Sequence, residues 1–225
     1  MFIVKKSAIV GILLAAAFLL TASLSLYVAG TVNARQTLFT VVLDAGHGGV
    51  DPGVLGVSGE RESDINLQIV KKLQSLFSDA GFSVVLTRKN EGGLYGLPTQ
   101  GYKRRDMEKR REVIVGSKPS VVLSVHQNSF PQQPSRTGGQ VFYCAGREAD
   151  AALAQSIQAR LNALSGKSVE ALTGDFYVLN CAQAPAVLIE CGFLSNAEEE
   201  AMLKSDAYQT EVADKIFEGV LGFLC

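Results

Sequence analysis

The feature that most constrains this chain is a set of short, nearly unbroken apolar runs, rich in valine, isoleucine and leucine, separated by stretches of helical period. Thr37–Gly49 (TLFTVVLDAGHGG) ends in a glycine-rich turn, and Phe82–Arg88, Val121–His126, Gln140–Ala145 and Ala186–Cys191 follow. A weaker run lies around Phe176–Leu179. Such runs read as strands of a sheet buried on both faces. Between them, Ile65, Ile69, Leu73 and Leu76 predict a helix over Asp64–Ala80, with Ser63 as N-cap and Gly81 at the C-terminal stop. Asp106–Val115, Glu148–Leu164 and two C-terminal stretches also read as helical. Tyr208, Val212, Ile216, Val220 and Phe223 line one face of the last. Asn90–Gly101, with four glycines and a proline, reads as a loop. The alternation predicts an α/β fold: a single domain with a twisted, mostly parallel sheet covered by helices on both faces.

That domain is expected over residues 37–225, because residues 1–36 have a different character. Lys5 and Lys6 precede an almost uncharged apolar run from Ser7 to Gly30, and about 20 such residues cross a bilayer. The flanking charges place the N-terminus inside and the remainder outside. The run is long for a signal peptide, so it reads as an uncleaved anchor in the cytoplasmic membrane. A cleaved signal, processed near Val32-Asn33-Ala34, is the competing reading. Either way the working part is exported.

The balance of 21 Lys+Arg against 22 Asp+Glu, a net charge of −1, gives no case for nucleic-acid binding. The basic cluster Lys103-Arg104-Arg105 with Lys109-Arg110-Arg111 is interleaved with acids and reads as a solvated helix face rather than an anion site. The four cysteines form no CxxC pair, which excludes zinc-ribbon and thioredoxin readings, and Cys144 and Cys191 read as buried free thiols.

Only two histidines are present, His47 and His126, and each follows an apolar strand. Residues just past the carboxyl ends of strands gather where α/β sheets bind ligands. Glu190 closes the run Ala186–Ile189, and a carboxylate there is costly unless it is paired or near a cation. Two imidazoles and one carboxylate make a catalytic zinc set with a position left for water. Glu62 is placed for that role, or else is an ordinary acid at a helix start. No P-loop, HExxH or GxSxG is present. A nucleophilic Cys191 is disfavoured because it points away from the face that Glu190 occupies.

The segments VVLDAGHGG, GERESDINL, VVLSVHQN and PAVLIECGFLSN, in that order, resemble the zinc N-acetylmuramoyl-L-alanine amidases of the amidase-3 group, from about Val41 to Leu224. The Asn90–Val115 region and the membrane-leading N-terminus are similar to the germination-specific type of spore formers. Two departures are SVHQN for the commoner SxHAN, and Val115-Gly116 where many members have Ala-Asn. The resemblance implies one Zn2+ held by His47, Glu62 and His126, with Glu190 catalytic. It implies a peptidoglycan substrate cut between N-acetylmuramic acid and L-alanine, with a role in the spore cortex. Arg88 and Arg110 match family arginines that contact substrate carboxylates or brace the fold, and bracing is the preferred reading. A regulatory protein partner fits the family but is not identifiable from sequence. The rival functions are another zinc-dependent wall peptidase and a non-catalytic wall- or partner-binding protein.

Overall fold

The computed structural model describes residues 14–24 and 39–225. Residues 14–24 are helical (α1) and belong to one unit, Met1–Leu38; a second compact unit spans Phe39–Cys225. Most of the expected anchor, Ser7–Gly30, lies outside the described residues. Among the described residues no helix is long and apolar enough to cross a membrane.

The second unit runs β1 (Thr40–Ala45), α2 (Glu62–Asp79), β2 (Ser83–Leu86), α3 (Tyr102–Gly116), β3 (Val121–Asn128), β4 (Gln140–Tyr143), α4 (Glu148–Ser165), β5 (Leu172–Thr173), α5 (Tyr177–Asn180), β6 (Ala186–Phe193), α6 (Ala197–Leu203) and α7 (Asp206–Leu224). The six strands form one sheet in the order β2-β1-β3-β6-β4-β5. All neighbours are parallel except β4 against β6.

Strand alternation divides the core into two layers. Val41, Leu43, Val121, Leu123, Val187 and Ile189 pack with α2, α4 and α7 on one face. Val42, Val122, Ala186 and Leu188 pack with Ile114 of α3 and with Val178 and Leu179 of α5 on the other. The same parity puts Asp44, Ser124, His126 and Glu190 on the α3/α5 face. Asp44 lies in register with Ser124 and His126 with Glu190.

Two local expectations are corrected. Ser63 is not the N-cap: helix α2 begins at Glu62 after Arg61. Its first amides are satisfied by the preceding loop, Glu62 N–H donating to Val54 O (3.1 Å) and Ser63 N–H to Pro52 O (3.0 Å). That loop does the work of a side-chain cap and draws Glu62 indoors. The strand expected around Phe176–Leu179 is a single helical turn, α5; an apolar run this short has no decisive period. The edge strand is Leu172–Thr173 instead.

Candidate metal centre and active site

The chain leaves β1 through Gly46 into a turn whose backbone is left-handed at His47 (φ 61°) and Gly49 (φ 63°). Histidine tolerates that region better than most residues, and the turn brings its ring edge-to-face with that of His126, centroids 5.0 Å apart. A side chain at Gly46 would displace the His126 ring, because a Cβ there would lie 2.2 Å from Cε1 of His126. Gly53 is constrained likewise: a Cβ would meet Oε2 of Glu62 at 2.3 Å.

His47, Glu62 and His126 each offer one donor atom, and these atoms lie within 4.8 Å of one another. Oε1 of Glu62 stands 3.3 Å from His47 Nε2 and 2.9 Å from His126 Nδ1. The carboxylate is held in place by three further groups. Oε2 accepts from Val54 N–H at 2.9 Å, and Oε1 accepts from Gln127 N–H and Asn66 Nδ2, both at 3.2 Å. Asn66 is in turn held by the Gln127 side chain. Burial works against the Glu62 charge, but the two imidazoles outweigh it and hold the carboxyl well below the usual range. His47 is raised: burial opposes the imidazolium, and Glu62 and Asp51 more than compensate.

Glu190 sits across the strand pair from His126, on the same face. Its Oε2 is buried without a hydrogen-bond partner. Burial pushes its carboxyl up to about 7. A buried, unpaired acceptor is costly, and such groups concentrate where chemistry uses them. Cys191 turns into the opposite layer of the core, which pushes its thiol far above its ordinary range.

The two arginines are buried, each 2 % exposed. Arg88 spends its guanidinium on the carbonyls of Ala45, Asn90, Gly46 and Ser63. Arg110 donates to Asp44 and Asp106 and to the carbonyls of Ala45 and His47. Through these bonds both brace the turn that carries His47. The solvated-face reading of the basic cluster fits Arg104 and Lys109, paired with Glu108 and Glu112. It fails for Arg110, and for Arg105, which binds carbonyls of the 95–100 loop.

Sequence reasoning missed Asp51, whose Oδ2 lies 3.0 Å from His47 Nδ1 and orients the ring. Its signal was there, an acid four residues after His47 within a glycine-rich turn. Asn66, four residues along α2 from Glu62, carried a comparable signal.

The donor set suits a divalent metal of the zinc type: two imidazoles, one fixed carboxylate, and a second carboxylate close by that is not needed as a ligand. A mostly parallel α/β sheet with this cluster at its strand ends defines the class, a hydrolase with a candidate metal centre. The chain belongs to the N-acetylmuramoyl-L-alanine amidase family, whose model matches residues 41–221. It is 31% identical over 189 residues to the germination-specific N-acetylmuramoyl-L-alanine amidase of Bacillus subtilis, covering 81% of this chain and 78% of that one. Among solved structures it superposes on the CwlD amidase of Clostridioides difficile, determined in complex with the GerS lipoprotein, with a TM-score of 0.79 and 35% identity over 83% of this chain and 98% of that one. The catalytic domain of CwlV from Bacillus (Paenibacillus) polymyxa gives 0.72 and 32%, covering 83% of this chain and 98% of that domain. The chain is accordingly a peptidoglycan amidase, acting between N-acetylmuramic acid and L-alanine.

Proposed function

We propose that this amidase is zinc-dependent, works outside the cytoplasmic membrane, and trims spore peptidoglycan in preparation for germination. The observation that carries the metal reading is the convergence of His47, Glu62 and His126 beside Glu190, whose Oε2 is buried and unpaired. His47 Nε2, Glu62 Oε1 and His126 Nδ1 would hold the ion. When bound, zinc supplies Lewis acidity, making water a competent nucleophile near neutral pH and stabilising negative charge on the carbonyl oxygen. Glu190 acts as the base: it takes a proton from the attacking water and delivers it to the departing alanine amine. Asp51 fixes the His47 ring, and Asn66 and Gln127 fix Glu62, so the cradle needs little reorganisation.

The spore role rests on the germination-specific relative. Residues 1–36 act as the anchor, and a lipoprotein partner like that of the C. difficile enzyme would meet the chain at the membrane. Fractionation tests the anchor: full-length chain should sediment with membranes, and a soluble form beginning near Arg35 would replace the anchor with a cleaved signal. Enrichment of one lipoprotein with the tagged membrane fraction would support the partner, and recovery of the chain alone would remove it.

The enzymatic reading is tested by incubating the full chain with muropeptides, with and without a chelator. The expected result is release of intact peptides starting at L-alanine. Chelation should abolish this while circular dichroism stays unchanged, because the core does not depend on the metal. Release of free amino acids would mark a wall peptidase, and undiminished turnover in chelator would remove zinc from the mechanism.

A further inference from the structure

A cavity of about 260 Å³ opens beside the metal cradle, between the sheet and helices α3 and α5. His47 and His126 form one edge, and Tyr95, Tyr102, Met107, Phe176, Tyr177 and Leu188 supply most of its walls. Of the two lysine and arginine side chains in its lining, Arg110 is buried and committed to Asp44, Asp106 and backbone carbonyls. Lys103 is different. Its side chain is 67% exposed and its ammonium lies 3.5 Å from Asp51 Oδ1, while the other oxygen of Asp51 holds His47 at 3.0 Å.

We propose that this cavity seats the peptide side of the substrate, with the alanine methyl against the apolar wall, and that Lys103 binds a carboxylate on the second residue of the stem peptide. The inference rests on the amidase reading above and names the substrate feature that this wall of the site recognises. Three considerations support it. The cavity adjoins the cradle directly, so what lies next to the scissile amide must enter it. The glycan is built of neutral acetamido sugars and offers an ammonium nothing to pair with, whereas the stem peptide carries carboxylates. Reach also agrees: two extended residues span up to about 7 Å, and Lys103 stands two short polar contacts beyond the His47 ring. An ammonium has three donors, so it can hold Asp51 and a substrate carboxylate together. Its flexible stem suits a single point charge better than a bidentate clamp.

The test compares two synthetic N-acetylmuramoyl-L-alanyl dipeptides, one with a free α-carboxylate on the second residue and one with a carboxamide there. The zinc-loaded full chain should show a KM about tenfold lower for the carboxylate, the scale of one charge-assisted hydrogen bond. Lys103→Met should bring the ratio of the two KM values close to one. Any indirect effect on His47 through Asp51 falls on both compounds and cancels in that ratio. A ratio near one in the unmodified chain, or one that Lys103→Met leaves in place, overturns this assignment and leaves the amidase reading intact. Cleavage of neither compound overturns both readings.

Discussion

Two charged clusters sit at the same end of the same strands and have opposite characters. The lower one is Asp44, Arg110, Asp106 and Arg88, with Thr87 and Ser124 donating to Asp44 at 2.6 Å each. It is buried and closed: Asp44 is bonded to Arg110, Thr87 and Ser124, and Asp106 accepts from Arg110 and from Leu94 N–H. The upper one, His47, Glu62, His126 and Glu190, is partly open and incomplete. Its histidines are partly exposed, its donors face one another, and Glu190 keeps a buried oxygen unpaired. They meet at the turn after β1, where Arg110 and Arg88 hold the carbonyls of Ala45, Gly46 and His47. The lesson is a division of labour: a satisfied network makes the platform rigid, and the unsatisfied cluster above it is left free to bind and react.

If that division is right, the two clusters should fail differently. The largest effect should come from the lower one. Asp44→Asn removes the charge facing buried Arg110 and should cost about 3–5 kcal/mol at pH 7, read as a lowered denaturation midpoint. A loss under about 1 kcal/mol would show that this network is not the platform. Next comes Glu190→Gln, which should slow muropeptide hydrolysis at least ~10²-fold while zinc content and thermal midpoint hold. Glu62→Gln should instead lose zinc along with activity. The reverse pattern, metal lost with Glu190→Gln and kept with Glu62→Gln, would exchange ligand and base.

The smallest effect is a pH dependence confined to the platform. Burial alone raises the Asp44 carboxyl, but Arg110, Ser124 and Thr87 outweigh it and hold its pKa down to about 2. A carboxyl lowered on folding contributes stability above its unfolded pKa near 4 and loses it as pH falls through its folded value. The gap between the native chain and Asp44→Asn should therefore narrow by about 2 kcal/mol between pH 5 and pH 2. A gap that stays constant would mean that Asp44 acts through shape rather than charge.

Sequence alone determined the layer architecture and the chemical inventory. The runs at Val41, Val121 and Ala186 read as buried strands, and period-2 geometry put Glu190 and Cys191 on opposite faces before any fold was known. Two histidines, each following such a run, read as lying near strand ends, and the structure places His47 just past β1 and His126 in β3, two residues before its end. What sequence could not reach was everything decided by contact between distant segments. Whether Glu62 was a ligand candidate or a helix-start acid turned on the loop from Pro52 to Arg61 folding back to satisfy the first amides of α2. Arg110 looked like one charge among many on a solvated helix, and only the packing of α3 against β1 places it beneath His47. Periodicity records which face of an element is apolar, because burial acts on each element's own side chains. Pairing between polar groups dozens of residues apart leaves no period in the sequence, so only the tertiary structure decides it.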